Sequence, residues 1–92
     1  MLLEGKVLYL NKRAKVAVVD IGWGEAVVIE FEASEDLCVG DKLRGLKRCY
    51  FMSMCYNDTK ERRIPVTVLS GGLPVETARY VVTSELEVDA VA

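Results

Sequence analysis

Apolar and polar positions alternate along this chain in short segments separated by turn residues, and the densest alternation lies between Ala14 and Phe31. Two arms, Ala14–Asp20 and Glu25–Phe31, flank Ile21-Gly22-Trp23-Gly24. Both arms are rich in β-branched residues, which suit a pleated, half-buried surface, and the pattern predicts a β-hairpin. Two registers are available. With Asp20 opposite Glu25, one face carries Ala14, Val16 and Val18 against Val27, Ile29 and Phe31. The other face then sets Lys15 opposite Glu30 and Arg13 opposite Glu32. A one-residue shift places Lys15 opposite Phe31, and Glu30 opposite Val16. Opposed charges and apolar pairs across strands are each worth about 0.2–1 kcal/mol, which favours the first register. Its connection is a tight turn at Gly22-Trp23 or a looser loop from Ile21 to Gly24.

The remaining elements follow in order. Leu3–Leu10 reads as a first strand ending at Asn11-Lys12. Glu32–Leu37 reads as a loop or single helical turn with Ser34 as a cap. Cys38–Leu43 reads as a turn that returns the chain to the sheet. Lys47–Tyr56 is the next predicted strand, with Cys49, Phe51, Ser53 and Cys55 on one side and Tyr50, Met52, Met54 and Tyr56 on the other. Asn57–Lys60 is a turn, and Arg62–Leu69 a strand in which Pro65 indicates an edge or a bulge. After Ser70-Gly71-Gly72-Leu73-Pro74, residues 75–83 have strand-like composition, although Pro74–Arg79 also suits a short helix with proline in its first turn. Segment 84–92 is an acidic tail expected to fray. Together these elements predict one all-β domain over residues 1–92: a small antiparallel β-barrel or sandwich of about six strands, with at most one short helix or helical turn.

Charge is unevenly placed. Residues 20–41 carry Asp20, Glu25, Glu30, Glu32, Glu35, Asp36 and Asp41 and no Lys or Arg, a net of −7. Residues 42–63 carry seven Lys or Arg against Asp58 and Glu61, a net of +5. Such a dipole either neutralises itself across neighbouring strands or attracts a charged partner, including a second copy. No apolar run approaches the roughly 20 residues that span a bilayer, and Met1–Lys6 lacks the features of a secretory signal, so a cytoplasmic location without membrane association is expected.

The chain has three cysteines and no histidine. An odd cysteine count argues against a disulfide framework, and the absence of Cys-x-x-Cys spacing and of histidine argues against zinc. Without histidine no Ser/His/Asp or Cys/His arrangement can be built, and Gly71-Gly72 lacks the lysine of a phosphate loop. A non-catalytic module with no cofactor and no metal is expected. The run Val16–Leu43, with its glycine turn and Val39-Gly40-Asp41, loosely resembles segments of PilZ-type ligand-binding barrels and of hydrogenase-maturation chaperones. The PilZ motif has serine where Gly22 stands, glycine where Glu25 stands and an arginine pair upstream. The chaperones begin Met-Cys, whereas Leu2 follows Met1 here, so no site residue is carried over.

Candidate contacts are therefore chosen from the residues themselves. Trp23, between two glycines at a hairpin tip, is either an anchor for a partner or a cap on the barrel end. Tyr50, Met52, Met54 and Tyr56 form a stripe whose methionines and tyrosines suit an interface, unless segment 75–83 covers it. Lys47, Arg48, Arg62 and Arg63 are candidate contacts for an anionic ligand. With Tyr9, Tyr50 and Tyr56 they suggest a stacking surface for single-stranded nucleic acid, although the acidic balance of the chain opposes that reading. The sequence thus favours a binding module that associates with itself or another protein. Single-stranded nucleic-acid binding and PilZ-like sensing of a nucleotide-like ligand are the alternatives.

Overall fold

The computed structural model describes residues 2–47 and 51–82. Six antiparallel strands make up a closed barrel: β1 (Leu2–Asn11), β2 (Val16–Gly22), β3 (Glu25–Phe31), β4 (Lys42–Lys47), β5 (Met52–Asn57) and β6 (Arg62–Val68). Around the wall the order is β1, β2, β3, β6, β5, β4, and β4 pairs back onto β1. The barrel is thus two three-stranded meanders, β1–β3 and β4–β6, joined along two seams, β1–β4 and β3–β6. A two-residue strand, β7 (Leu73–Pro74), extends β3, and residues 75–82 form a helix, α1. Among the described residues no helix is long and apolar enough to cross a membrane.

Closure depends on strands that coil tightly, and two glycines allow it. A side chain at Gly5 would run into the Asp20 carbonyl and approach Val19 Cγ1 at 2.8 Å, so only glycine lets β1 pass this close to β2. Gly45 is an extra residue in β4: Leu3 pairs with Leu46 and Glu4 with Arg44, and Gly45 sits between them at φ +76°. A bulge with left-handed glycine bends and twists its strand, as barrel walls require.

The hairpin takes the register opposite to the one that charge pairing favours. Val16 stands across from Glu30, Val18 from Val28, and Val19 from Val27. Lys15 lies in the turn before β2 at φ +61°, and its carbonyl accepts from the Phe31 N–H. The physical reason is that both faces of this hairpin are covered. Ala17, Val19, Val27, Ile29 and Phe31 point into the barrel with Leu37, Leu43, Leu46, Ile64 and Val66. Val16, Val18, Ala26 and Val28 point outward, beneath Ala78 and Val82 of α1. Neither face offers solvent to a row of charge pairs, so burial of both apolar sets decides the register. Val18 is buried as expected, but on the other face from Val27, Ile29 and Phe31.

The one-residue shift is absorbed at the tip. Asp20 pairs with Ala26 and Gly22 with Glu25, leaving Ile21 as a bulge, and Asp20 Oδ1 accepts from the Gly22 N–H at 2.9 Å. The turn residues are therefore Trp23 and Gly24, at φ +61° and +73°, rather than Gly22-Trp23. Positive φ at both central positions is the type I′ pattern, whose twist matches that of the strands.

Segment 75–82 is helical, so its strand-like composition gives way to the need for a lid. The helix presents Ala78 and Val82, four apart on one face, to the outer wall of β2 and β3. Val75 N–H donates to the Gly24 carbonyl, and buried Asn11 donates to the Val82 carbonyl. The continuous strand expected over Lys47–Tyr56 is instead the end of β4 and the start of β5. Phe51 lies in the bend before β5 and is exposed instead of filling the core. Cys49 and the tail 84–92 lie outside the described residues. Pro65 faces Met54 of β5, while the ladder to β3 stops at Val66, so one side of β6 behaves as an edge there.

One buried polar group of the core anchors the turns. Asn57 Nδ2 donates to Asp41 Oδ2 at 2.9 Å, and the same oxygen accepts from the Cys38 N–H at 3.0 Å. Lys60 closes this corner, with Nζ 3.6 Å from Asp41 Oδ2 and 3.5 Å from Asp36 Oδ2. It also donates to Cys38 Sγ at 3.2 Å, and this bond first, then the two carboxylates, raises its pKa above the usual lysine value. Buried polar groups satisfied in this way fix one arrangement of the loops.

Candidate functional site

On the wall opposite the α1-covered hairpin, the barrel is incompletely sewn. Among the described residues β4 and β5 pair at Leu43–Asn57 and Arg44–Tyr56. Beyond that point the Gly45 bulge carries β4 toward β1, and a cleft of about 890 Å³ lies between the strands. Such a volume falls within the roughly 300–1,000 Å³ typical of binding sites. Leu2 and Glu4 of β1, Arg44 and Lys47 of β4, Met54 and Tyr56 of β5 and Arg63 of β6 line it, with Leu3 and Cys55 at its floor. At the same end of β5, Ser53 Oγ is buried without a hydrogen-bond partner. The wall here leaves polar capacity unused, as does the buried Glu35 Oε2 in the loop after β3.

Strand alternation explains the lining. Cys55 and Asn57 point inward, so Met52, Met54 and Tyr56 must point outward. Leu2, Met52 and Met54 are 61%, 65% and 52% exposed, and no described segment covers them. Segment 75–83 is the alternative cover for this stripe, but its described part, residues 75–82, lies over β2 and β3 instead. Tyr56 is partly enclosed because Arg44 lies over its ring, 4.8 Å from the centroid, while Arg44 Nε donates to Asp58 Oδ1 at 2.8 Å. The guanidinium thus lies between a ring and a carboxylate at one edge of the cleft.

The structure divides the basic residues singled out by sequence. Lys47 and Arg63 line the cleft, on the outer faces of β4 and β6. Arg62 is on the other side of β6 and faces Glu35, 3.8 Å away, so it does not join them. Arg48 and Tyr50 lie outside the described residues. Tyr9 is also elsewhere: it packs beneath α1, with Arg79 over its ring at 5.2 Å. Sequence reasoning missed Arg44, Leu2 and Glu4. The glycine of Leu43-Arg44-Gly45-Leu46 was the available signal, since a lone glycine in a strand marks a bulge.

Trp23 does not cap the barrel. It is fully exposed at the tip of the β2–β3 hairpin, outside the cleft, with Asp20 and Glu25 on either side of the turn. No family model, curated protein or solved structure matches this chain. The chemistry available to the site must therefore be read from its own residues.

Among the described residues no group of three or more His, Cys, Asp or Glu is placed to hold a metal ion. The thiol on the cleft floor, Cys55, has its pKa pushed up to about 11, chiefly by burial, so it is protonated at neutral pH and a poor nucleophile. What remains is an open trough with apolar sides, a fixed guanidinium–ring pair and two further cations.

Proposed function

We propose that this protein is a non-catalytic β-barrel binding module that associates with itself through the wall formed by β1, β4 and β5. The observation that carries this reading is the placement of the lid. Among the described residues the covering helix lies over the outer face of β2 and β3, while Leu2, Met52 and Met54 stand exposed around the cleft on the opposite wall. Exposed methionines adapt to irregular partners, and an apolar patch rimmed by charge is the usual form of an association surface. A second copy is the favoured occupant because the hairpin tip carries Asp20 and Glu25, while Arg44, Lys47 and Arg63 outnumber Glu4 at the cleft.

The test is sedimentation over a wide concentration range, on wild type and on the Met52→Lys/Met54→Lys double variant. Concentration-dependent association in the wild type, and a folded monomer by circular dichroism in the variant, are expected. A wild type monomeric at every concentration refutes the reading.

A second reading has one observation in its favour. Arg44 stacked on Tyr56, beside Lys47 and Arg63, suits an anionic ligand with a planar ring, of the nucleotide type. Thermal stabilisation by mono- and dinucleotides, lost in Arg63→Glu, would support it. The single-stranded nucleic-acid reading is weaker, because Tyr9 packs beneath α1, away from the cleft.

A further inference from the structure

The Trp23 turn breaks two rules at once. A large aromatic side chain is fully exposed, and its backbone is in the left-handed region at φ +61°. Glycine or asparagine would hold the same type I′ position with less strain, and nothing in the fold leans on the indole. Exposed side chains kept in an unfavourable backbone geometry point to a role outside the fold. The turn is also acidic, with Asp20 and Glu25 at the ends of the two strands.

The cleft between β4 and β5 has the complementary chemistry. Arg44 lies across Tyr56, Met54 offers a thioether, and Lys47 and Arg63 add positive charge that outweighs the single carboxylate of Glu4. An indole gains from cation–π contact with arginine and from contact with methionine sulfur, while flanking carboxylates gain from the rim cations.

We propose that the Trp23 turn of one copy inserts into the β4–β5 cleft of another. This rests on the self-association reading and gives it a specific geometry: a knob at the β2–β3 hairpin tip and a hole between β4 and β5. Each copy then carries one donor and one acceptor surface, and the indole is the anchor residue of the contact.

Because the chain has a single tryptophan, its fluorescence reports insertion directly. Emission should move to shorter wavelength, and acrylamide quenching should fall, as wild-type concentration is raised through the association range. Trp23→Asn, which also relaxes the turn, should weaken association about 30-fold, as expected for loss of an anchor. A Lys47→Glu/Arg63→Glu variant should weaken it through the hole. Mixed together, the two defective variants should associate, since one retains an intact hole and the other an intact knob; circular dichroism confirms that each is folded.

Wild-type association with unchanged tryptophan emission, or undiminished association of Trp23→Asn, overturns the insertion while leaving self-association standing. Failure of the mixture to associate also overturns it. A monomeric wild type overturns both readings.

Discussion

Replacing Gly5 by alanine tests the closure of the barrel at its tightest point. A Cβ there meets the Asp20 carbonyl oxygen inside contact distance, Val19 Cγ1 at 2.8 Å and the Asp20 carbonyl carbon at 2.9 Å. Carbon atoms prefer about 3.5–4.0 Å, so β1 must retreat from β2 by roughly 0.7–1.2 Å. Backbone cannot rotate aside as a long side chain can, and the retreat acts directly on the Lys6–Asp20 and Val7–Val19 pairs. Overpacking costs about 1–3 kcal/mol, and loss of about two ladder hydrogen bonds adds a similar amount. The sum, about 2–6 kcal/mol, is a large part of the roughly 5–14 kcal/mol expected for a domain of this length. Gly45→Ala is the control: its Cβ meets nothing within 4 Å, and its cost is the left-handed backbone alone, about 1–2 kcal/mol. Asparagine should recover part of the loss at Gly45 and worsen it at Gly5. Urea unfolding followed by circular dichroism measures all four variants. If Gly5→Ala is milder than Gly45→Ala, β1 does not approach β2 in the way described.

Three further outcomes are expected. Phe31→Ala should lower stability by about 3–5 kcal/mol, because the ring is buried in the barrel interior; a loss below about 1 kcal/mol in urea unfolding would contradict its enclosure. Cys55 should resist thiol reagents in the folded protein. Burial pushes its pKa up to about 11 from the ordinary thiol value of 9.0, so its contribution to stability is full below pH 9 and is lost as pH rises through 11. A Cys55→Val variant should lack that alkaline component, at most about 1.4 kcal/mol per pH unit, and identical pH profiles would refute it. Glu61→Gly should raise the urea midpoint by the equivalent of about 1 kcal/mol, since Glu61 occupies φ +54°; an unchanged or lower midpoint counts against strain there.

The architecture was legible because strand signals are local. Alternation over Leu3–Leu10, the turn residues Asn57–Lys60 and the proline of β6 each specify their own element. The hairpin register was not legible from local terms, because it depends on what lies over the outer face of β2, and that is a helix some 50 residues later in sequence. The same dependence left the segment after Pro74 open between a strand and a short helix: the choice is decided by the uncovered face of Val16, Val18, Ala26 and Val28. Met52, Met54, Lys47 and Arg63 could be selected from alternation and charge. Arg44 could not, because its role comes from the Gly45 bulge and from a ring on the next strand.

The division of the wall into two meanders sets the order of events in folding. Each meander contains only neighbours in sequence, whereas the β3–β6 seam joins residues ~35–39 apart, so loop closure must precede its reward. The slow step is then the docking of one three-stranded sheet on the other, with four bare strand edges meeting at once. Residues 32–41 tether the two halves and carry Glu35, Asp36 and Asp41, and these carboxylates pair with Lys60 and Arg62 of the second half. The uneven charge along the chain can thereby guide its own assembly: attraction between the acidic tether and Lys60 and Arg62 acts before the seams need to close, so added salt is expected to slow refolding more than it lowers final stability.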